Sequence, residues 1–297
     1  MSLFAEVFAA ASGRSAHLSL AVTFAVLGAA VLHATWNALA KSVNDQLVGF
    51  LAFNVATGVV ALSVLPFVAA PAGGAWPYLG LSFAVHTAYQ SFLLNSYRVG
   101  EFSQVYPIAR GTAPLVIAVV AVPTASEHLS PVQVVGLLGV AGGLFALANL
   151  RAWWSDGRPP TLAFAFTTGV LIAAYSVVDG LGVRHSRSTL GYAAWLTAAQ
   201  SLPIPLYVLM RHPDRVRAGL PSAWRRAGLG GLLSVSAYTI VLWAQTRGSL
   251  GVVAALRETG VLVATLIGSV LFGETFGRRR AIAASIVVTG VVLLHVG

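Results

Sequence analysis

The sequence predicts an all-α polytopic membrane protein: ten transmembrane helices in two inverted five-helix repeats. Three observations carry this. The 297 residues are 57% hydrophobic and only 9% charged, whereas a soluble domain usually carries about 25% charged residues. Apolar runs long enough to cross a bilayer recur along the whole chain. Polar residues in the first half reappear at matching places in the second. The composition excludes an ordinary soluble enzyme, a disordered chain and a nucleic-acid-binding domain. The net charge of +9 comes from scattered arginines between apolar runs rather than a basic tract, so no nucleic-acid partner is expected and the lipid bilayer is.

A hydrocarbon core of about 30 Å needs about 20 mostly apolar helical residues. The first run, 18–40, carries His33, Trp36 and Asn37 on one face; the second, 47–70, carries Asn54 and Thr57. The third, 76–97, repeats the first stripe with His86, Tyr89 and Gln90. The fourth, 101–122, aligns Ser103, Tyr106 and Arg110 and contains Pro107 and Pro114. Gly139 and Gly143 lie four apart on the fifth, 130–150, a spacing that permits close helix approach or a homodimer contact. The sixth, 160–183, holds Tyr175 and, near its end, Asp179, which reads as a hydrated end position. The seventh, 189–209, has Gln200 and the helix-breaking Pro203 and Pro205. A compact link over 210–223 leads to the eighth, 224–246, with Ser234, Tyr238 and Gln245. The ninth, 250–272, contains Arg257 and Glu258, and the tenth is 278–296. The N-terminal 17 residues lack a basic n-region and read as no cleaved signal.

Laying 103–150 on 250–297 aligns Arg110 with Arg257, Thr112 with Thr259, Glu127 with Glu274 and Gly143 with Gly290. Upstream, Ala88-Tyr89 and Arg98 fall on Ala237-Tyr238 and Arg247 with a two-residue gap. Five spans per unit is an odd number, so the units 18–150 and 160–296 enter the membrane in opposite senses. Inverted repeats of this kind mark transporters with a site near the midplane between the halves.

The loops after odd-numbered spans hold twelve of the 18 basic residues, and the opposite side holds Arg14, Arg184, Arg187 and Arg247. The positive-inside rule puts the richer side in the cytoplasm and both termini outside.

The stretches YPIARGTAPLVIAVVAVPTASEHLSPVQVVGLLGVAGG and ALRETGVLVATLIGSVLFGETFGRRRAIAASIVVTGVVLL resemble the ends of two EamA repeats of the drug/metabolite transporter (DMT) superfamily. Each has a polar central span, a Glu shortly after it and a Gly-rich closing helix. VLHATWNALAK is similar to a first-span motif of some members. The resemblance implies a ten-helix secondary transporter, often a metabolite exporter in the cell (inner) membrane. It also implies cytoplasmic termini, opposite to the charge count, so the orientation stays open.

Arg110 and Arg257 are mid-span charges, which are costly in lipid and face the bundle interior or a water-filled cavity. A guanidinium there offers a permanent charge and a planar fork suited to carboxylate or phosphate. Internal pairing, with Glu258 or helix carbonyls, is the competing account. Glu258, the deepest acid, is a candidate for proton or ion coupling. Tyr106, Tyr89, Tyr238, His33, Trp36, Asn37, His86 and Gln90 are candidate cavity-lining residues; the alternative for each is an interhelical bond. Glu127 and Glu274 read as interfacial and structural. The chain has no Cys, no HExxH and no carboxylate cluster, so no metal or cofactor is expected. It also has no phosphate loop, and its one Lys is Lys41, which argues against ATP hydrolysis and against an enzyme. The expected function is alternating-access transport of a small polar or anionic metabolite, amino-acid-like or an organic acid. A hydrophobic drug or lipid-linked substrate, a scaffold and an intramembrane enzyme are the rivals.

Overall fold

The computed structural model describes residues 18–41, 43, 45–99, 102–124, 129–147, 159–264, 266 and 277–296. Among them the chain is helical, with two single-turn 3-10 segments and no strand. The helices are α1 (Leu20–Lys41), α2 (Gln46–Val64), α3 (Trp76–Val99), α4 (Phe102–Thr124), α5 (Pro131–Leu147), α6 (Pro159–His185), α7 (Thr189–Gln200), α8 (Pro203–Arg211), α9 (Pro213–Gln245), α10 (Leu250–Arg257) and α11 (Arg278–Val296). In lipid every backbone polar group needs an internal partner, and for an open chain only helices supply it. The protein is a multi-pass, all-helical membrane protein.

The ten expected spans do not all emerge as uninterrupted helices. Among the described residues, six stretches are long and apolar enough to cross a membrane; α4 and α5 contain shorter apolar segments, Pro107–Val120 and Pro131–Leu147. α3 has the length, 24 residues, but its polar stripe dilutes its hydropathy. The seventh run is split: α7 ends at Gln200 and α8 begins at Pro203, whose ring removes a backbone donor at the junction. Pro107 and Pro114, by contrast, lie within an unbroken α4. The expected loop 210–223 is not a loop. α9 starts at Pro213 with Pro at its first turn, where a missing N–H costs nothing. The ninth run breaks at Arg257, and a second short helical stretch follows over 260–264. Glu127 and Glu274 lie outside the described residues.

α5 packs along α11, α3 along α6, and α9 along both α1 and α2; α4 lies against α5 and α6. α10 is set inside this bundle, against α1, α4 and α6, with every one of its residues buried. The α5–α11 crossing is backbone on backbone. A Cβ at Gly136 would stand 2.7 Å from the Gly290 carbonyl oxygen, and one at Gly143 would stand 2.6 Å from Val287 Cγ2. Without a hydrophobic drive between helices in lipid, such close approach is what gains packing.

Two ends of the bundle can be told apart. At one, Arg215 at the start of α9 grips Asp45, the N-cap of α2, through Nε to Oδ2 at 3.0 Å and Nη2 to Oδ1 at 3.0 Å. Asp45 also accepts from the Leu47 and Val48 amides. Partial burial pushes its carboxyl up, but the Val48 amide, Arg215 and the Leu47 amide outweigh this and hold it below the usual carboxylate range. Arg279 donates to the Ala146 carbonyl at the end of α5 at this same end. At the other end, Arg184 donates to the Gln245 and Gly248 carbonyls at 2.8 Å. The Ala72 amide donates to Ser186 O at 3.0 Å, and Trp76 meets Trp195 edge to face.

Candidate functional site

Polar side chains inside a membrane bundle turn toward each other or toward a cavity. Here they do both. A cavity of about 470 Å³ is lined from α1 by His33, Trp36 and Asn37, from α2 by Phe50, Phe53, Asn54 and Thr57, and from α3 by His86, Tyr89 and Gln90. Tyr175 of α6, Thr197 and Gln200 of α7, Ser234 and Tyr238 of α9 and Arg257 of α10 complete the polar wall. The lining runs from the middle of the bundle, at His86, Tyr175 and Tyr238, to Asn37, Phe50 and Gln90 on the side of the Asp45–Arg215 end.

Eight of the residues expected from the sequence meet here: His33, Trp36, Asn37, His86, Tyr89, Gln90, Tyr238 and Arg257. Trp36 stacks on Phe53 at 4.6 Å, and His86 stacks on Tyr175 at 4.0 Å. Trp36 Nε1 donates to His33 Nδ1 at 3.2 Å, while the Asn37 amide is tied to the His33 carbonyl at 2.7 Å. Gln90 Nε2 reaches the Gln200 carbonyl at 3.4 Å. Two oxygens of the wall, Thr197 Oγ1 and Gln200 Oε1, are buried without a hydrogen-bond partner. Groups of that kind are costly unless a solute or water meets them. The side chain of Tyr106 lies outside the described residues.

Arg110 and Glu258 stand behind the wall. Both Glu258 oxygens lie 3.3 Å from Arg110 Nη1. Glu258 Oε1 also accepts from Arg257 Nε at 3.2 Å and Nη2 at 3.1 Å. Consecutive residues on a regular helix point about 100° apart, which argues against an Arg257–Glu258 contact. The two long side chains meet nonetheless, with Glu258, the C-cap of α10, still in the right-handed helical region. Arg110 Nη2 also meets His33 Nε2. Arg257 Nη1 extends to Ser176 Oγ at 3.4 Å. One carboxylate thus bridges α4 and α10, and the guanidinium that faces the cavity is Arg257.

Asp179 corrects the expectation of a hydrated end. It is 1% exposed. It accepts from Tyr192 OH at 3.2 Å and from Tyr238 OH, and His86 Nε2 lies 4.0 Å away. Among the described residues no group of three or more His, Asp or Glu is placed to hold a metal ion. Phe50 and Phe53 went unnoticed in the sequence because an aromatic in an apolar helix has no contrast with its neighbours.

Residues 160–296 match the model of the EamA-like transporter family. A solved protein crystal structure shares 20% sequence identity, with a TM-score of 0.73; the match covers 93% of this chain and 95% of that one. At that identity the likeness is one of fold. No curated protein matches in sequence.

Proposed function

We propose that this chain, an EamA-type member of the drug/metabolite transporter superfamily by its residues 160–296, moves a small anionic or amino-acid-like metabolite across the cell membrane by alternating access. The observation that carries the reading is Arg257 at the wall of a 470 Å³ cavity, beside aromatic faces and two unpartnered oxygens. A volume of this size suits a small metabolite and is too small for a two-chain lipid or lipid-linked substrate. A carboxylate docks on the Arg257 fork, with the rest of the solute on Trp36, Tyr89 and Tyr175. Arg110 holds Glu258 and His33 in place rather than meeting the solute.

We read the chain as ten spans in two inverted repeats, 18–150 and 160–296, a symmetry that serves an alternating cycle. Exchange each helix for its counterpart: α1 for α6, α2 for α7, α3 for α9, α4 for α10 and α5 for α11. The α3–α6 contact then becomes α9–α1, α2–α9 becomes α7–α3, and α4–α6 becomes α10–α1, all of which occur. α5–α11, α2–α7 and α4–α10 map onto themselves. The wall can then be offered to either side by exchanging equivalent contacts. The energy source is a solute or ion gradient, and net export follows the family's usual direction.

The test is flux in proteoliposomes with labelled amino acids and dicarboxylates. Arg257→Gln is expected to lower anion flux at least tenfold while the protein still elutes as a folded species. Flux unchanged by Arg257→Gln overturns the docking role. Absence of any solute flux by the wild type, set against flux of a lipid probe, overturns the metabolite reading.

A further inference from the structure

The His86–Asp179 pair is a buried acid and base that the anion site does not use. We propose that this pair is the proton-binding site of the transporter, so that an anionic solute and one proton are bound together. The inference rests on the proposed docking of an anion at Arg257.

The geometry separates the two buried carboxylates. Glu258 is bonded by two guanidinium groups, which are permanent cations without a proton to exchange. Its charge is committed to pairing. Asp179 pairs with no Lys or Arg among the described residues. Its oxygens accept from Ser82, Tyr192 and Tyr238, all neutral, and its one ionic neighbour is His86.

His86 Nδ1 lies 3.1 Å from the Ser82 carbonyl oxygen, a group that only accepts. This assigns the imidazole hydrogen to Nδ1, with Ser82 Oγ 3.0 Å from the same nitrogen. Nε2 then turns a lone pair toward the carboxylate at 4.0 Å. One proton resolves that opposition, whether it resides on Nε2 or on an Asp179 oxygen. It arrives from water in the cavity, whose wall includes His86.

The surrounding charges give the proton its function. Facing the pair are Ser82 on α3, Tyr192 on α7 and Tyr238 on α9. Tyr175 and Arg184 lie on α6 itself. Arg257 on α10 stands beyond Ser176, and Arg110 on α4 stands behind Glu258. Two arginines at the core of the bundle offset one glutamate and one aspartate, so the site without solute is neutral. An anion at Arg257 leaves it one charge negative in a low-dielectric interior, and one proton at His86–Asp179 restores neutrality. Binding of each therefore favours binding of the other to the same degree. The proton also reaches the wall directly, because Tyr238 bonds Asp179 and His86 stacks on Tyr175.

The experiment follows protons and solute separately. In weakly buffered detergent solution with a pH-sensitive dye, glutamate and lactate, each of net charge −1 near neutral pH, are added to the wild type and to Asp179→Asn. The expected result is uptake of about one proton per anion bound by the wild type and none by Asp179→Asn. A second measurement needs no solute. A pH jump over proteoliposomes on a solid-supported electrode is expected to displace charge in the wild type and not in Asp179→Asn. Tyr192→Phe removes one hydroxyl from the carboxylate without touching the cavity wall. It is expected to move the midpoint of that signal and keep its amplitude, so the proposal stays testable should Asp179→Asn fold poorly. Anion binding without proton uptake, or a pH-jump signal that persists in Asp179→Asn, overturns the proton site. An Asp179-dependent pH-jump signal with neither probe bound supports the proton site and overturns only the anion docking.

Discussion

Glu258 is 1% exposed, and its oxygens contact two guanidinium groups within 3.3 Å. Its removal leaves two buried cations without a counter-charge, a change that costs about 3–5 kcal/mol in comparable buried pairs. Asp45, by contrast, grips Arg215 at the bundle end, where the Arg215 side chain is half exposed; exposed pairs contribute at most about 1 kcal/mol. Glu258→Gln should therefore lower the unfolding temperature in detergent several times more than Asp45→Asn. Equal shifts would mean that Glu258 does not hold α4 and α10 together. These three mid-span charges were legible in the sequence because a charge in an apolar run has maximal contrast. Their division of labour was not: it follows from the packing of α4 and α10, which places Arg257 and not Arg110 in the cavity lining. Asp179 was misjudged for a similar reason. Distance along a span does not reveal whether that end is open to water or covered, and here Tyr192, Tyr238 and His86 cover Asp179.

The elements that depart from the sequence pattern are the ones next to the cavity. α7 and α8 part at Ser201-Leu202, beside Gln200, and α10 stops at Arg257. Backbone breaks at membrane depth survive only where protein or a cavity lines them, so both mark the site. Pro203 marks the first break in the sequence, whereas the second, at Glu258 and Thr259, is marked only by the Gly260 that follows. The α5–α11 pair shows the opposite case. Gly143 and its counterpart Gly290 aligned in the sequence, and they sit on the two sides of one crossing. A side chain at Gly290 would begin 2.6 Å from the Gly136 carbonyl oxygen, a distance that forces the helices apart. Gly290→Leu is expected to reduce the folded yield and thermal stability sharply, whereas Gly142→Leu, at a position open beyond 4 Å, should behave like the wild type. Matching profiles for the two variants on size exclusion and heating would remove the crossing as a structural hinge point.

At the scale of the whole molecule, the cavity and the charge distribution point the same way. The lining runs from mid-bundle toward the end that carries Arg211, Arg215, Arg217, Arg225, Arg226 and the Arg278–Arg280 run. The opposite end is closed by Arg184 and by the Ala72–Ser186 contact. If the basic end is cytoplasmic, as the positive-inside rule requires, this conformation offers its site to the cytoplasm, as an exporter does before loading. The chain contains no cysteine, so a single introduced thiol reports its own exposure against no background. Asn37→Cys and Gln90→Cys line the cavity, and Arg187→Cys lies at the closed end. In intact cells, a membrane-impermeant maleimide is expected to modify Arg187→Cys and to leave the other two unlabelled. In inside-out vesicles the pattern should invert, and the proposed solute should slow modification at Asn37 and Gln90. The reverse pattern in intact cells would place the termini in the cytoplasm, as the EamA resemblance implies, and would make this the conformation that faces outward.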